Sequence, residues 1–176
     1  MFIDDVIVYA NTIEEHASRL GHVLERFDRA NLQLQQSKCV FAQPQVEYLG
    51  YVVSRDGIRA SPEETRAVKN FPVPKNSEEV RSFLGLASFY RRLVPNFAQI
   101  AKPLTELLRK DVQFAWSERQ RSAFEGLKTV LCSEQVLAYP DFSSQFILTT
   151  DASKVAVAAI LSQVQDGVER PISYAS

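Results

Sequence analysis

Hydrophobic and polar positions near the start of the chain follow two different periods. Residues 1–10 are β-prone except at Asp4 and Asp5, which predicts two short strands joined by an acidic turn. Residues 13–30 then carry apolar side chains at helical spacing, after a capping-box pattern that begins at Thr12. The sequence therefore predicts a β-hairpin followed by an amphipathic helix.

A second β segment follows the predicted helix. Residues 46–53 are strand-like, and Gly50 within this run indicates a bulge or a closely approaching backbone. Asp56 and Gly57 predict a hairpin turn into a further short strand. Ser61, with a proline directly after it, is typical of a helix start, so a short helix is predicted to follow the strands.

Helical periodicity dominates the middle of the chain. A helix that starts after Ser77 places five apolar residues on one predicted core stripe: Val80, Phe83, Leu84, Ala87 and Tyr90. Residues 95–110 predict a second, antiparallel helix, so that residues 77–110 form a helical hairpin. A further capped helix begins within residues 116–120 and ends near Cys132.

The end of the chain returns to strand chemistry. Residues 146–150 predict a strand that leads into Asp151, and residues 155–163 predict a second strand. Residues 165–167 then turn towards a third strand at residues 171–175. Strands and helices that occur in separate groups along a chain are typical of an α+β fold, which is the predicted fold class.

Composition excludes several classes of protein. The formal net charge of −1 gives no sign of a nucleic-acid binder, a membrane-surface protein or an acidic tail. No segment approaches the roughly 18 consecutive apolar residues of a membrane span, and the N-terminus does not resemble a signal peptide. Cys39 and Cys132 lack zinc-type spacing and form at most one bridge, which indicates a reducing compartment.

The charge is unevenly distributed along the chain. Residues 81–110 contain six basic residues and one acidic residue, a local net charge of +5 between two acidic parts. A small, basic stripe shares one face of the predicted helix: Arg81, Gly85, Ser88 and Arg92. Such a stripe allows close approach to a phosphodiester backbone, with guanidinium groups on the phosphates. It equally fits a solvated helix face with two arginines.

Two acidic positions are candidate metal ligands. A hairpin tip lets Asp4 and Asp5 point outward together, so both carboxylates can converge on a hard cation such as Mg²⁺. The pair also fits a solvated acidic turn. Asp151 lies where a strand leaves the predicted sheet, which is a common place for a metal ligand and also for an aspartate that caps a turn.

The order of these motifs resembles the middle of the pol polyprotein of gypsy-type LTR retrotransposons. Five groups of residues carry the resemblance: Phe2-Ile3-Asp4-Asp5-Val6 of the Tyr-x-Asp-Asp hairpin, with Phe for Tyr; residues 48–53 of the hairpin that grips the primer; residues 81–86, 89–92 and 101–105 of the thumb; Phe114 and Trp116 of the connection; and residues 150–153 of the RNase H opening. The resemblance extends over essentially the whole chain.

The resemblance implies four structural parts. They are the end of a reverse transcriptase palm at residues 1–73, a thumb-like helical hairpin at 74–112, a connection at 113–141, and the first strands of an RNase H-like mixed sheet at 142–176. The implied chemistry is phosphoryl transfer by two Mg²⁺ ions, which align the attacking and leaving oxygens.

The resemblance also implies roles for individual residues. Asp4 and Asp5 would be catalytic metal ligands of the polymerase, and Asp151 the first carboxylate of RNase H. The implied nucleic-acid contacts are Phe2, Tyr48, Leu49, Gly50, Arg81, Gly85, Ser88 and Arg92. The implied partners are an RNA–DNA hybrid or primer–template duplex and the remainder of the polyprotein, with no membrane and no small-molecule cofactor. The implied location is cytoplasmic, in retrotransposon particles.

The catalytic groups of both sites extend beyond the sequence in hand. A further palm carboxylate and the fingers would precede residue 1, and the remaining RNase H carboxylates would follow residue 176. We therefore expect the isolated chain to be inactive. Two alternatives are a non-catalytic module that binds RNA–DNA hybrid and a pseudogene product without a stable function.

Primer extension tests the expectation of inactivity. The isolated 176-residue chain, supplied with Mg²⁺, primer–template and dNTPs, should incorporate no nucleotide, because a two-metal site that lacks a principal ligand misplaces its ions. Incorporation that is lost in the Asp4→Asn variant would contradict the expectation.

Overall fold

The computed structural model describes residues 4–133, 135–153 and 156–176. This part of the chain contains five α-helices: α1 (Ile13–Arg29), α2 (Pro62–Lys69), α3 (Ser77–Phe89), α4 (Phe97–Glu106) and α5 (Glu118–Leu131). It also contains six strands: β1 (Gln45–Tyr48), β2 (Tyr51–Ser54), β3 (Gly57–Ala60), β4 (Ile147–Ala152), β5 (Val157–Gln165) and β6 (Val168–Ala175). The strands form two antiparallel sheets, ordered β1-β2-β3 and β4-β5-β6, so the predicted α+β class is confirmed.

Capping residues determine where the helices begin. The Thr12 side chain accepts a hydrogen bond from the Glu15 N–H at 3.2 Å, and α1 starts at the next residue. Ser117 and Gln120 form a capping box at the start of α5. Each cap satisfies backbone donors that the first helical turn leaves without partners. The predicted positions of these helices are therefore confirmed.

The predicted single strand at residues 46–53 is two strands. Leu49 and Gly50 form a two-residue turn in which Tyr48 pairs with Tyr51 across the β1–β2 hairpin. Their φ angles are +52° and +78°, which is the type I′ pattern that suits the twist of a hairpin. The prediction was wrong because the apolar run continues through Leu49, which is not a typical turn residue.

The second turn of this meander is also one residue earlier than predicted. Ser54 pairs with Gly57, so Arg55 and Asp56 are the two turn residues and Gly57 begins β3. Gly57 has a φ of +138°, and a Cβ built on it would lie 2.2 Å from the Leu137 carbonyl oxygen. This close approach allows Ile58 and Leu137 to exchange two backbone hydrogen bonds of 2.9 Å.

The predicted N-terminal hairpin is not formed by the described residues. Asp4 lies in a turn, Asp5 in a single β-bridge, and residues 6–10 have no regular structure. Neither of the two described sheets pairs with residues 6–10, and a β-prone run becomes a strand only where a neighbour satisfies its backbone groups. Residues 1–3, the other half of the predicted hairpin, lie outside the described residues.

The helical hairpin predicted at residues 77–110 differs from the prediction at three points, one of which is that α4 ends at Glu106 and not at residue 110. Helix α3 ends at Phe89, and Arg92 belongs to the following 3₁₀ turn, Arg91–Leu93, instead of the helix itself. Helix α4 begins after Asn96, whose φ of +53° interrupts the helical backbone. The apolar period continues across this break, which is why it predicts one longer helix from residue 95.

One hydrophobic core joins helices α2 to α5. All five residues of the predicted α3 stripe belong to it. The buried members of the core are Val68, Val80, Phe83, Leu84, Ala87, Tyr90, Leu93, Val94, Phe97, Ala101, Leu104, Leu107, Ala123, Phe124, Leu127, Leu131 and Leu137. Helix α1 contributes no buried residue, so it lies outside this core.

The second sheet is attached to the helices and to its own loop by hydrogen bonds. The Ala98 N–H donates to the Ser176 hydroxyl oxygen at 2.9 Å, and the Ala138 N–H donates to the Pro171 carbonyl at 2.8 Å. Hydrogen bonds from Ser143 and Ser144 in the loop before β4 lower the pKa of Asp141 to about 2.

None of the helices in the described ranges combines the length and the apolar composition that a membrane span requires.

A glycine comparison tests the contact between Gly57 and Leu137. Gly57→Ala should lower the free energy of unfolding by roughly 3 kcal/mol or more, because its Cβ meets the Leu137 carbonyl and its φ is positive. Gly167→Ala is the control: its φ is +77° but its Cβ would enter open space, so about 1 kcal/mol is expected. Urea unfolding measures both, and equal losses would contradict the contact.

Candidate nucleic-acid interface

The turn between β1 and β2 rests on the C-terminal end of α3. The Tyr90 hydroxyl donates a hydrogen bond to the Gly50 carbonyl at 2.8 Å, and the Tyr51 hydroxyl donates to the Phe89 carbonyl at 3.1 Å. These contacts join residues that are about forty positions apart in sequence. The structure therefore brings two groups of predicted nucleic-acid contacts together. One group is Tyr48, Leu49 and Gly50, and the other is the C-terminal end of the basic stripe on α3.

Three aromatic rings fill the contact between the turn and α3. The Tyr51 ring stacks on Phe89 with 5.6 Å between centroids, and it meets Tyr90 edge-on at 5.3 Å. Phe89 and Tyr90 also meet edge-on, at 4.8 Å. Offset and edge-to-face pairs of this kind are favourable beyond the area they bury, so the cluster holds the turn in place.

Gly50 is required by this close contact as well as by its backbone angle. A Cβ built on Gly50 would lie 2.9 Å from the Tyr90 hydroxyl and 3.2 Å from a ring carbon of Phe89. Gly50 therefore does mark a close approach, as the sequence indicated. The approaching groups are the side chains of Tyr90 and Phe89, however, and not a backbone. The backbone at Gly50 forms a turn in place of the predicted bulge.

The predicted basic stripe is only partly a helix face. Arg81 and Gly85 are exposed on α3, Ser88 is half-buried, and Arg92 is exposed in the 3₁₀ turn. Burial raises the pKa of Tyr51, and the positive charge of Arg92 opposes that rise, so the Arg92 guanidinium lies within electrostatic range of the Tyr51 hydroxyl. Arg92 thus stays close to the turn although it lies outside the helix.

Arg81 and Arg92 have no ion pair or hydrogen bond with any other described residue. Two other cations of the region are engaged: Lys102 lies 3.9 Å from Glu106, and Arg91 donates to the Ser176 carbonyl. Arg109 and Lys110, further along the chain, also lack an ion pair or side-chain hydrogen bond with a described residue. Two exposed guanidinium groups without carboxylate partners are suited to donate hydrogen bonds to phosphate oxygens.

Phe89 is a surface residue that the sequence pattern did not single out. It lies four residues after Gly85 and eight after Arg81, so it continues their face of α3, and 53% of it is exposed. Ser88, which the pattern selected instead, is half-buried. The available signal was the helical period itself, because an aromatic residue at this spacing from an arginine and a glycine extends the stripe.

The candidate metal ligands are all exposed. The Tyr48 hydroxyl donates to the Asp5 carbonyl at 3.2 Å, which attaches the acidic pair to the β1–β2 hairpin. Asp151 lies inside β4, paired with Ala158, so it does not end the strand as predicted. The strand continues to Ala152 because the ladder with β5 continues.

The donor sets agree with Mg²⁺ chemistry only in part. Adjacent carboxylates such as Asp4 and Asp5 supply the hard oxygen ligands that Mg²⁺ prefers. Among the residues the structure describes, no three His, Cys, Asp or Glu side chains lie close enough to hold a metal ion. Asp4, Asp5 and Asp151 therefore do not converge on a common site. Phe2, the remaining predicted duplex contact, lies outside the described residues.

Two family profiles match different parts of the chain. Residues 1–53 match the family described as "Reverse transcriptase (RNA-dependent DNA polymerase)". Residues 116–176 match the "RNase H-like domain found in reverse transcriptase". The first match contains the acidic pair and the β1–β2 hairpin, and the second contains α5 and the second sheet.

Curated relatives match the chain over its whole length. The Retrovirus-related Pol polyprotein from transposon opus of Drosophila melanogaster is 41% identical over 187 residues, which cover 100% of this chain and 19% of that protein. The corresponding polyprotein from transposon gypsy is 40% identical over 188 residues, covering 100% and 18%. The Transposon Tf2-3 polyprotein of Schizosaccharomyces pombe is 39% identical and covers 99% and 13%. The chain spans less than a fifth of each relative.

Solved structures share the fold. The foamy viral protease-reverse transcriptase dRH in complex with double-stranded DNA matches with a TM-score of 0.81 and 25% identity, over 95% of this chain and 30% of that one. The foamy viral protease-reverse transcriptase in complex with an RNA/DNA hybrid matches with a TM-score of 0.80 and 25% identity, over 95% and 23%. Both neighbours were solved with a nucleic-acid duplex bound.

Proposed function

The chain belongs to the Pol polyprotein family of gypsy- and Tf2-type LTR retrotransposons. It is a segment with the C-terminal region of reverse transcriptase and an RNase H-like domain, and we propose that it holds the primer–template duplex. In this proposal the Leu49-Gly50 turn grips the primer end, and α3 follows the duplex backbone. The four parts are the palm end at residues 1–73, the thumb at 74–112, the connection at 113–141 and the start of RNase H at 142–176.

One observation carries the proposal. The β1–β2 turn and the exposed side of α3 form one surface, on which Arg81 and Arg92 have no partner among the described residues. Neutralising phosphates with such arginines releases condensed counterions, which is a large part of duplex affinity. Apart from the adjacent residues and the helix's own backbone, no described heavy atom lies within 4 Å of the position of a Cβ on Gly85, so a sugar-phosphate backbone can approach there.

The expected recognition depends on shape instead of sequence. Arg81 and Arg92 bind phosphate oxygens, while Gly85, Ser88 and the exposed ring of Phe89 face the minor groove of the duplex. A-form and hybrid duplexes have a wide, shallow minor groove that displays sugars, so contacts there read duplex geometry. Such contacts suit an enzyme that must move along any template.

The carboxylates are proposed to act within the longer polyprotein. Asp4 and Asp5 would hold Mg²⁺ at the polymerase site, and Asp151 would contribute to the RNase H site. When bound, Mg²⁺ supplies charge stabilisation for phosphoryl transfer. The chain's own contribution is to place Asp5 relative to the primer grip through the hydrogen bond from Tyr48. Cys39 and Cys132 are free thiols, which supports a reducing, cytoplasmic location in retrotransposon particles.

A second candidate function is hybrid binding without chemistry. It is favoured because the proposed duplex-binding residues lie on α3 and the 3₁₀ turn after it, whose apolar side chains belong to the core of α2 to α5, whereas Asp4, Asp5 and Asp151 lie on segments that contribute nothing to that core. Binding by the isolated chain that does not require Mg²⁺, together with no extension or cleavage, is the result expected for this function.

Arginine substitutions test the phosphate contacts. Arg81→Ala with Arg92→Ala should weaken binding to an RNA–DNA hybrid roughly tenfold or more, and should lower the slope of log K against log salt by about 2. The matched control is Arg119→Ala with Arg121→Ala on α5, which removes the same charge from weak surface ion pairs. Fluorescence anisotropy across a salt series measures both. An equal effect of the two double variants would contradict the proposal.

A glycine substitution separates stability from binding. Gly85→Ala should raise the free energy of unfolding by about 0.5–1 kcal/mol, because alanine is the better helix former and its Cβ meets no neighbour. The same variant should weaken hybrid binding, because the methyl group occupies the approach to the duplex. Gly21→Ala in α1, also without a neighbour, is the control that should gain stability without losing affinity. Unchanged hybrid affinity in Gly85→Ala would exclude close approach at α3.

A further inference from the structure

We propose that Tyr90 is a positioning residue of the polymerase. Its hydroxyl fixes the Leu49-Gly50 turn on the end of α3, so that the primer end held by the turn keeps a constant position relative to the duplex backbone bound along α3. The inference rests on the proposed function, in which the turn grips the primer and α3 follows the duplex. It adds a residue that is buried and touches neither the nucleic acid nor the metal.

The Gly50 carbonyl is held from two sides. It accepts hydrogen bonds from the Tyr90 hydroxyl at 2.8 Å and from the Ser61 N–H at 3.0 Å, so both of its lone pairs are used. Ser61 is itself buried, and its hydroxyl donates to the Glu47 carboxylate at 3.0 Å. The turn is therefore fixed between the start of α2 and the end of α3.

A second hydrogen bond runs in the opposite direction. The Tyr51 hydroxyl, on the hairpin, donates to the Phe89 carbonyl at the end of α3. Carbonyls of the last helical turn lack partners within the helix, so this bond also satisfies an acceptor that α3 leaves open. A hydroxyl from each element thus bonds a carbonyl of the other, and two such points restrict rotation as well as distance.

Tyr90 is suited to a fixed position. Its side chain is only 1% exposed, and its ring contacts both Tyr51 and Phe89. Burial raises the pKa of Tyr90, and the negative charges of Glu64 and Glu47 and the hydroxyl of Tyr51 raise it further. The hydroxyl consequently remains a neutral donor. Tyr90 directly precedes the 3₁₀ turn that carries Arg92, so its hydrogen bond connects the Leu49-Gly50 turn with a proposed phosphate contact.

The other turn of the β1-β2-β3 meander supplies a matched control. The Tyr139 hydroxyl, from the connection, donates to the Ser54 carbonyl at 2.9 Å and lies 3.3 Å from the Gly57 carbonyl. Tyr139 therefore makes the same kind of hydroxyl–carbonyl contact on the same meander. It anchors the β2–β3 turn, whereas Tyr90 anchors the β1–β2 turn to α3.

The first experiment compares Tyr90→Phe with Tyr139→Phe in the reverse transcriptase that contains this segment. Phenylalanine keeps the ring and removes only the hydroxyl. Tyr90→Phe should lower kcat for nucleotide addition about tenfold while primer–template affinity stays within about twofold, because the arginine contacts remain and the primer end is displaced. A 2-aminopurine at the primer 3′ end should change its fluorescence in this variant. Tyr139→Phe should leave kcat and the fluorescence unchanged.

The second experiment uses the 176-residue chain and needs no activity. Gly50→Ala should lower Tm, both through its positive φ and through the contact of its Cβ with the Tyr90 hydroxyl. In the Tyr90→Phe background the second cause is absent, so the loss of Tm caused by Gly50→Ala should be smaller. Fully additive losses in this double-mutant cycle would show that the hydroxyl does not hold the turn.

The outcomes separate the inference from the proposed function. If the wild-type enzyme neither binds nor extends a primer–template, the proposed function is wrong and the inference is overturned with it. If the wild-type enzyme extends the primer and Tyr90→Phe has unchanged kcat, or loses no more than Tyr139→Phe, only the positioning role of Tyr90 is overturned.

Discussion

Burial of the apolar stripe of α3 is the constraint on which the other arrangements depend. The Phe83 ring lies 4.5 Å from Phe124 and 5.3 Å from Phe71, measured between centroids, and Val80 and Phe83 are both fully buried. Because this face of α3 is closely packed, rotation of α3 about its axis would expose large side chains and leave cavities in the core. The opposite face of α3 is therefore fixed towards solvent.

The same burial places the hairpin turn. Tyr90 is the last residue of the buried stripe and also the residue that bonds the Gly50 carbonyl. Packing of Tyr90 into the helical core therefore also places the Leu49-Gly50 turn. Because Arg92 lies two residues after Tyr90, its guanidinium, which has no ion pair or hydrogen bond with a described residue, is placed at the same end of α3.

A two-residue segment, Leu137 and Ala138, joins the two sheets. Leu137 exchanges backbone hydrogen bonds with Ile58 of β3, and the next residue, Ala138, donates to the Pro171 carbonyl of β6. Leu137 is also a member of the helical core. Movement of the β1-β2-β3 sheet relative to the β4-β5-β6 sheet would break these backbone contacts. The segment therefore couples the reverse transcriptase end of the chain to its RNase H-like end.

Local signals predicted the helices well and the irregular joints poorly. The caps at Thr12 and Ser117 depend on residues within one helical turn, so their sequence pattern is sufficient. The Leu49-Gly50 turn and the break at Asn96 interrupt runs whose apolar pattern continues. Periodicity reports burial and not the path of the backbone, which explains why it joined these elements. The proposed site shows the same division, since the arginines were visible as charge whereas Phe89 required knowledge of which face is exposed.

The amino-acid sequence by itself determined the helices, the core stripe, the basic segment and the family, because each depends on neighbouring residues or on the linear order of motifs. Only the tertiary structure decided that the turn at Gly50 meets the end of α3. It also decided that the Tyr51 hydroxyl bonds the Phe89 carbonyl, and that the Arg91 side chain bonds the carbonyl of Ser176. The physical reason is that these contacts join residues about forty or more positions apart, as Tyr90 and Gly50 do, and their partners are chosen by the packing of the whole core.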